Sequence, residues 1–273
     1  MSELADKVQQ DLVKAIDKDD LVLPTLPEVA LQIRKAAEDP EISVSDLSKM
    51  IGRDAALAAR LIKVVNSPLL RAAHEVTELH TAITRLGVNY SSNLAIGLVM
   101  EQIFHARSEV VEKKMREVWR KSLEIAGVSY SLCRRYTQLK PDQAALGGLV
   151  HQIGVLPILT YAEDHNELLS DSVSLNHVID QIHPVLGAQL LRVWDFPEKL
   201  IQVPLLYLDF TRESERVDYV DLVQAASLFC YQGTDHPLGR IDALSVPAFR
   251  KLGFDPQNEL MRSDLEESRS MFY

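Results

Sequence analysis

The chain has 273 residues, enough for one large domain or two small ones, and its 47% apolar and 25% charged residues imply an ordinary packed core. A formal net charge of -10 creates a field that repels phosphate backbones, which sets nucleic acid aside as a partner. The polar start MSELADKVQQ has no signal-peptide core, and runs such as LAIGLVM are far too short to span a bilayer, so neither export nor a membrane is expected.

Taken in chain order, nearly every apolar pattern has helical period. Leu4, Val8, Leu12 and Ile16 recur every four residues and predict a helix within 1–19. In LPTLPEVALQIRKAAEDP, Thr25 and Glu28 have capping-box spacing and Pro27 suits a first turn. Val29, Ile33 and Ala37 follow on one face, and Asp39-Pro40 closes the helix. Ser43 and Asp46 open the next helix, with Leu47, Met50 and Ile51 inward, and Gly52 suits a left-handed cap. Asp54 caps a helix whose stripe is Leu57, Leu61, Val64 and Val65, and Asn66-Ser67-Pro68 stops it. Another helix ends at Leu86-Gly87, and 91–104 is apolar on most sides, as a buried helix would be.

In the second half, Trp119, Leu123, Ala126, Tyr130 and Cys133 share a face. Pro141 opens the helix that carries LVHQIG. Pro184 is expected near the start of a turn, and Pro204 should kink or split its helix. The tail PQNELMRSDLEESRSMFY is amphipathic, with Leu260, Leu265 and Met271 available for docking. No strand alternation, hairpin signal or fixed-period repeat is visible, so the fold class is all-α. Cys133 and Cys230 lie too far apart for a disulfide framework or zinc spacing and read as reduced, buried thiols of a cytoplasmic protein.

Several blocks in order resemble the HDOD family, the HD-related output domains of bacterial signalling proteins. They are LPTLPEVALQI, VSDLSKMIGRDAALAARLIKVVNSPLL, TAITRLGVNYSSNLAIG, VWRKSLEIA, ALGGLVHQIG and HPVLGAQLLRVWDFPEKLIQ, spread over roughly 20–210. The resemblance implies a multi-helix bundle divided into an N-terminal helix (1–19), an N-terminal helical subdomain (20–108), a degenerate HD-like bundle (109–235) and a C-terminal helical extension (236–273). It also implies a regulatory role. The surface between the two halves is the expected place for a cleft.

HD-superfamily hydrolases hold divalent metals with a His, an adjacent His-Asp pair and a later Asp, because imidazoles give geometry while carboxylates offset the ion's charge. At the matching positions Lys121 replaces the first His, His151 remains, and Gln152 replaces the Asp. His183 matches a further His, Leu206-Tyr207-Leu208 stands where many relatives carry a His pair, and Ser227 lies near a usual Ala-Asp pair. A charged lysine has no lone pair, and at an effective dielectric of ~20 it would repel a divalent ion about 4 Å away by roughly 8 kcal/mol. No metal, cofactor or catalytic residue is therefore expected. Lys121, His151, Gln152 and His183 are read as a vestigial pocket in which Lys121 pairs with Gln152, pairs with an acid elsewhere, or attracts an anionic small ligand.

SKMIGRDAALAARLIKVV has helix-turn-helix rhythm, but its second helix opens with Ala55 and Ala56 rather than base-reading residues, and two packed helices explain it. Glu163-Asp164-His165 reads as a polar helix end, since adjacent residues on a helix point apart. Ser67, Ser91 and Ser122 lack a nucleophile-elbow context. The expected function is non-catalytic regulation through protein partners in a signalling pathway. The alternative is a metal-dependent phosphohydrolase acting on a nucleotide or phosphoester.

Overall fold

A computed structural model of the chain describes residues 7, 8, 10, 11, 14, 23–70 and 74–273. Among them the secondary structure is helical throughout, with no strand. Leu4, Leu12 and Ile16 of the first stripe lie outside the described residues, while Val8 is buried.

The first half is a stack of short helices: α1 (Glu28–Ala37), α2 (Val44–Ile51), α3 (Ala55–Val65), α4 (Leu79–Leu86) and α5 (Val88–Val99), the last continued by a 3-10 turn, Met100–Ile103. Thr25 does not cap α1. Pro27 takes that place with φ -54° and ψ 139°, and its carbonyl accepts from the Ala30 and Leu31 N–H groups, since the ring fixes φ where the helix must begin. Ser43 caps α2, accepting from Asp46 N–H at 3.1 Å and donating to the Asp46 carboxylate at 2.6 Å. Gly52 is not left-handed: its φ is -66°. Glycine stands there because a Cβ would lie 2.9 Å from the Ser48 carbonyl oxygen. Asp54 caps α3 through Leu57 N–H, and the expected stripe Leu57, Leu61, Val64 and Val65 is buried. The Asn66 amide then grips Val76, donating to its carbonyl at 2.7 Å and accepting from its N–H at 2.9 Å, which pins the segment after the helix. α5 is buried on most sides, as its sequence implies.

The second half is built on α6 (Glu109–Tyr136), a rod of 28 residues. It is followed by α7 (Pro141–Val150), α8 (Val155–Glu163), α9 (Asn166–Ser170), α10 (Ser172–Val193), α11 (Glu198–Leu206), α12 (Tyr219–Tyr231), α13 (Pro247–Leu252) and α14 (Glu259–Ser268); α7, α8, α12 and α14 pack on the rod, α10 packs on α8, α9 and α11, and α13 packs on α12. The stretch Pro141–Glu163 is long and apolar enough to cross a membrane by composition, more so than the short runs considered above. It is broken by a turn at 151–154, and its most apolar window is 83% buried inside the protein, so it is core. LVHQIG thus ends α7 rather than sitting within it.

Pro184 lies inside α10, not at a turn. Burial of Ile182, His183, Leu186 and Gly187 on either side of it holds the helix together, outweighing the missing N–H. α11 runs through Pro204 and stops two residues later at Leu206, with no split. Pro204 has a packing partner that explains its retention: a Cβ at Gly187 would stand 2.8 Å from the Pro204 Cβ. The tail docks as expected through Leu265 and Met271, joined by Phe272, while the Leu260 side chain is outside the described residues.

One buried ion cluster ties the C-terminal extension to the bundle. The fully buried Asp221 forms a capping box with Asp218 at the start of α12. Its carboxylate also takes Lys251 Nζ at 2.5 Å and Arg212 Nη1 at 3.2 Å. Replacing one member of such a group leaves the others charged and desolvated. Asp221→Asn is expected to lower the urea unfolding free energy by about 3–5 kcal/mol, whereas the exposed pair Arg250–Glu213 should contribute under about 1 kcal/mol by the same measurement.

Candidate functional site

Four elements converge on a cavity of about 680 Å³. Lys121 enters from α6, Gln152 from the turn after α7, His183 from α10, and Tyr207 from the end of α11. His151 lies just behind this wall, fully buried, with its ring 4.9 Å from and perpendicular to that of Tyr207. The four residues singled out in the sequence are therefore brought into one neighbourhood, three lining the cavity and one backing it.

Backbone contact makes the convergence possible. A Cβ at Gly154 would fall 2.0 Å from the His183 carbonyl oxygen and 2.4 Å from the Gly187 nitrogen. One at Gly148 would fall 2.5 Å from the Ala126 Cα. The turn holding His151 and Gln152 is thus pressed against both α6 and α10 with nothing between the chains.

The two imidazoles are held alike. His151 Nδ1 lies 2.7 Å from the Gly148 carbonyl and His183 Nδ1 lies 2.7 Å from the Ile179 carbonyl, so in each ring Nδ1–H donates to its own helix and Nε2 carries the lone pair. Burial lowers the His151 pKa to about 3, against the Gly148 carbonyl, which raises it. Burial lowers that of His183 to about 4, against the Ile179 carbonyl. Both rings are neutral at neutral pH.

The phenol of Tyr207 occupies the space they face. Its O–H donates to His183 Nε2 at 2.8 Å, and Gln152 Nε2 approaches the same oxygen at 3.5 Å. His151 Nε2 has no hydrogen-bond partner among the described residues. Lys121 pairs with Glu124, not with Gln152: Nζ lies 2.7 Å from Oε2 and 5.0 Å from the Tyr231 ring centre. Glu124 also binds Arg269 at 2.9 Å. Burial pushes the Glu124 carboxyl up, and the hydrogen bonds from Lys121 and Arg269 outweigh it, leaving the group below its ordinary value.

The residues present do not fit a divalent ion held in the HD manner. The carboxylate paired with Lys121 is already spent on two cations, Gln152 brings no charge, and a phenol sits against both imidazoles. Among the described residues no cluster of three or more His, Cys, Asp or Glu is placed to hold a metal. Asp180, Tyr231 and His236 also line the cavity and were missed in the sequence. Asp180 precedes His183 by three residues, a spacing that shares a helix face and could have revealed it. Tyr231 and His236, stacked with ring centres 3.9 Å apart, are joined by a turn whose geometry no local motif announces.

The other candidates are accounted for locally. Glu163 and Asp164 bind Arg107, and Glu163 also accepts from Ser108 N–H at 2.7 Å. His165 stacks on Tyr161. Arg60, on the second helix of the helix-turn-helix rhythm, turns inward to the Leu98 carbonyl at 2.9 Å and to Glu101. Ser227 is fully buried, and so are both cysteines, whose thiols burial pushes up to about 11 for Cys133 and about 12 for Cys230.

Comparison with known proteins adds the family. The model of the HDOD domain matches residues 23–206, more than half of the chain. A solved structure from Shewanella amazonensis SB2B, provisionally described as a metal-dependent phosphohydrolase, is 28% identical with a TM-score of 0.86, covering 98% of this chain and 99% of that one. A structure from Marinobacter aquaeolei VT8, provisionally described as a signal transduction protein, is 22% identical with a TM-score of 0.67, covering 98% of this chain and 64% of that one. An uncharacterized protein of Treponema pallidum (strain Nichols) is 26% identical over 193 residues, 66% of this chain, and the matched part spans 36% of that relative's length.

The lowered imidazole pKa values carry a stability consequence. Unfolded histidines take up protons below about pH 6.5, whereas the folded His183 and His151 stay neutral down to about 4 and about 3. The penalty is absent above pH 6.5 and grows as pH falls through that window, by about 1.4 kcal/mol per pH unit for each ring. Urea unfolding at pH 7 and pH 5 should show a smaller loss for His183→Gln than for the wild type. An equal loss would mean that the ring is not held neutral.

Proposed function

This chain belongs to the HDOD family, and from that premise we propose that it is a non-catalytic regulatory module of bacterial signal transduction that works by binding protein partners. The observation that carries the reading is the Tyr207 phenol seated against both imidazoles, with Gln152 and a Glu124-paired Lys121 where a hydrolase would need a carboxylate and a free ligand. The relative described as a signal transduction protein is consistent with it. The cavity beside Tyr207 gives room for a small anionic regulatory ligand, with Lys114, Arg120 and the Glu124-paired Lys121 on its wall against Glu117 and Asp180. A cytoplasmic location accords with two buried, free thiols.

The alternative is phosphoester hydrolysis with a divalent metal. It is favoured by the Shewanella relative, alike over nearly its whole length, and by Glu117 and Asp180 on the cavity wall. The two readings separate on one preparation. Metal content would be measured after incubation with manganese or iron, alongside hydrolysis of bis(p-nitrophenyl) phosphate, for the wild type and for a Lys121→His, Gln152→Asp, Tyr207→His triple variant. The regulatory reading expects no stoichiometric metal and no turnover in the wild type, and metal gained only in the variant. Stoichiometric metal in the wild type, with turnover abolished by chelation, would establish the hydrolase.

A further inference from the structure

Behind the cavity beside Tyr207, one carboxylate is shared between its wall and the C-terminal extension. Lys121 lines the cavity, and its Nζ lies 2.7 Å from Glu124 Oε2. Glu124 is three residues further along α6 and outside the lining. The same oxygen takes Arg269 Nη2 at 2.9 Å. The Tyr273 hydroxyl, donating to the Arg120 carbonyl at 2.8 Å, passes 3.3 Å from Glu124 Oε1.

Arg269 and Tyr273 belong to a strap made of α14 and the residues after it. Leu265, Ser268, Met271 and Phe272 of this strap are buried. A Cβ at Gly127 would fall 2.0 Å from the Ser268 carbonyl oxygen, so the strap lies backbone-close on α6. Phe272 and Tyr273 reach a smaller cavity, of about 400 Å³, which is the cleft expected between the two halves.

The two cations compete for Glu124. Its side chain is only 13% exposed, so a free charge there would be poorly solvated. When Arg269 leaves, Lys121 still holds the carboxylate. Without Lys121, the same departure would strand a desolvated charge, and the strap would be held harder. The cations also repel each other across the shared oxygen. Glu266 travels with Arg269 at 3.0 Å, but it is half exposed and solvent screens it.

We infer that Glu124 is a relay between the cavity and the C-terminal strap: whatever draws Lys121 toward the cavity hands Glu124 to Arg269 and tightens the strap. The relay rests on the reading of that cavity as a site for an anionic ligand. An anion at the wall would take up Lys121, and a docked Arg269 neutralises a negative charge just behind the wall. Each event therefore favours the other, and by linkage by the same factor. A cavity inside the second half so acquires a readout on the protein's surface.

Hydrogen–deuterium exchange of the amides of 259–273, in the intact protein, tests the relay. Lys121→Met should slow it about fivefold, because Glu124 is left to Arg269. Arg269→Met should speed it, and in that background Lys121→Met should change nothing. Lys113→Met, at an exposed position of the same helix, should match the wild type. Unchanged far-ultraviolet circular dichroism would show each variant folded. Exchange unmoved by Lys121→Met, or moved equally with and without Arg269, would overturn the relay. Sodium pyrophosphate serves as the anion, and it should slow strap exchange in the wild type but not in Lys121→Met. Pyrophosphate that binds by calorimetry without slowing exchange would overturn the relay and leave the reading of the cavity intact. No binding, with the variants behaving as expected, would overturn that reading and support the relay.

Discussion

A turn can press its backbone against the side of a helix only where a side chain is absent, and the site rests on one such contact. Gly154 meets the His183 carbonyl and Gly187 at distances that no Cβ could occupy. Gly187 in turn receives Pro204, so the turn after α7, the middle of α10 and the end of α11 are locked into one stack. That stack sets the distance between His151 and His183 and delivers Tyr207 to the place both rings face. Loss of the glycine would separate the very groups that define the cavity.

Once the rings are so placed, charge decides what the site can do. Each imidazole commits Nδ1–H to a carbonyl of its own helix and offers Nε2 inward, the arrangement that orients metal-bound histidines as well. The carboxylate that Lys121 meets is already taken, and the other acids of the wall are Glu117 and Asp180. Glu124 faces Lys121 and Arg269, Gln152 is neutral, and the phenol donates a hydrogen bond to the lone pair of His183. The site holds a hydrogen-bonded aromatic plug, Tyr207 against His183 and His151, in a setting buried enough to keep both rings uncharged.

Much of the fold was legible because helical period and capping residues act locally. The stripe Leu57, Leu61, Val64 and Val65, the caps at Ser43 and Asp54, and the docking of Leu265 and Met271 follow from patterns a few residues long. Thr25, Gly52 and Pro184 misled because their roles are set by what packs on them: Pro27 fixes the start of α1, the Ser48 carbonyl crowds Gly52, and burial on both sides carries α10 through Pro184. At the site, the replacements at 121 and 152 could be read along the chain, but the plug could not. Tyr207 registers in sequence only as a missing His pair. Its role depends on Gly154 and Pro204 meeting Gly187, contacts between positions 33 and 17 residues apart that no local signal encodes.

The central claim is that Tyr207 and two fixed neutral imidazoles close the place where an ion would bind. Nitrogen-15 NMR of the histidine side chains at pH 7, with and without excess zinc, tests it directly. The account predicts that His151 and His183 both appear as neutral rings protonated at Nδ1, with Nε2 resonances that one equivalent of zinc leaves in place. Stoichiometric movement of both Nε2 resonances on adding zinc would contradict it, and would show the phenol to be a displaceable lid over a working metal site.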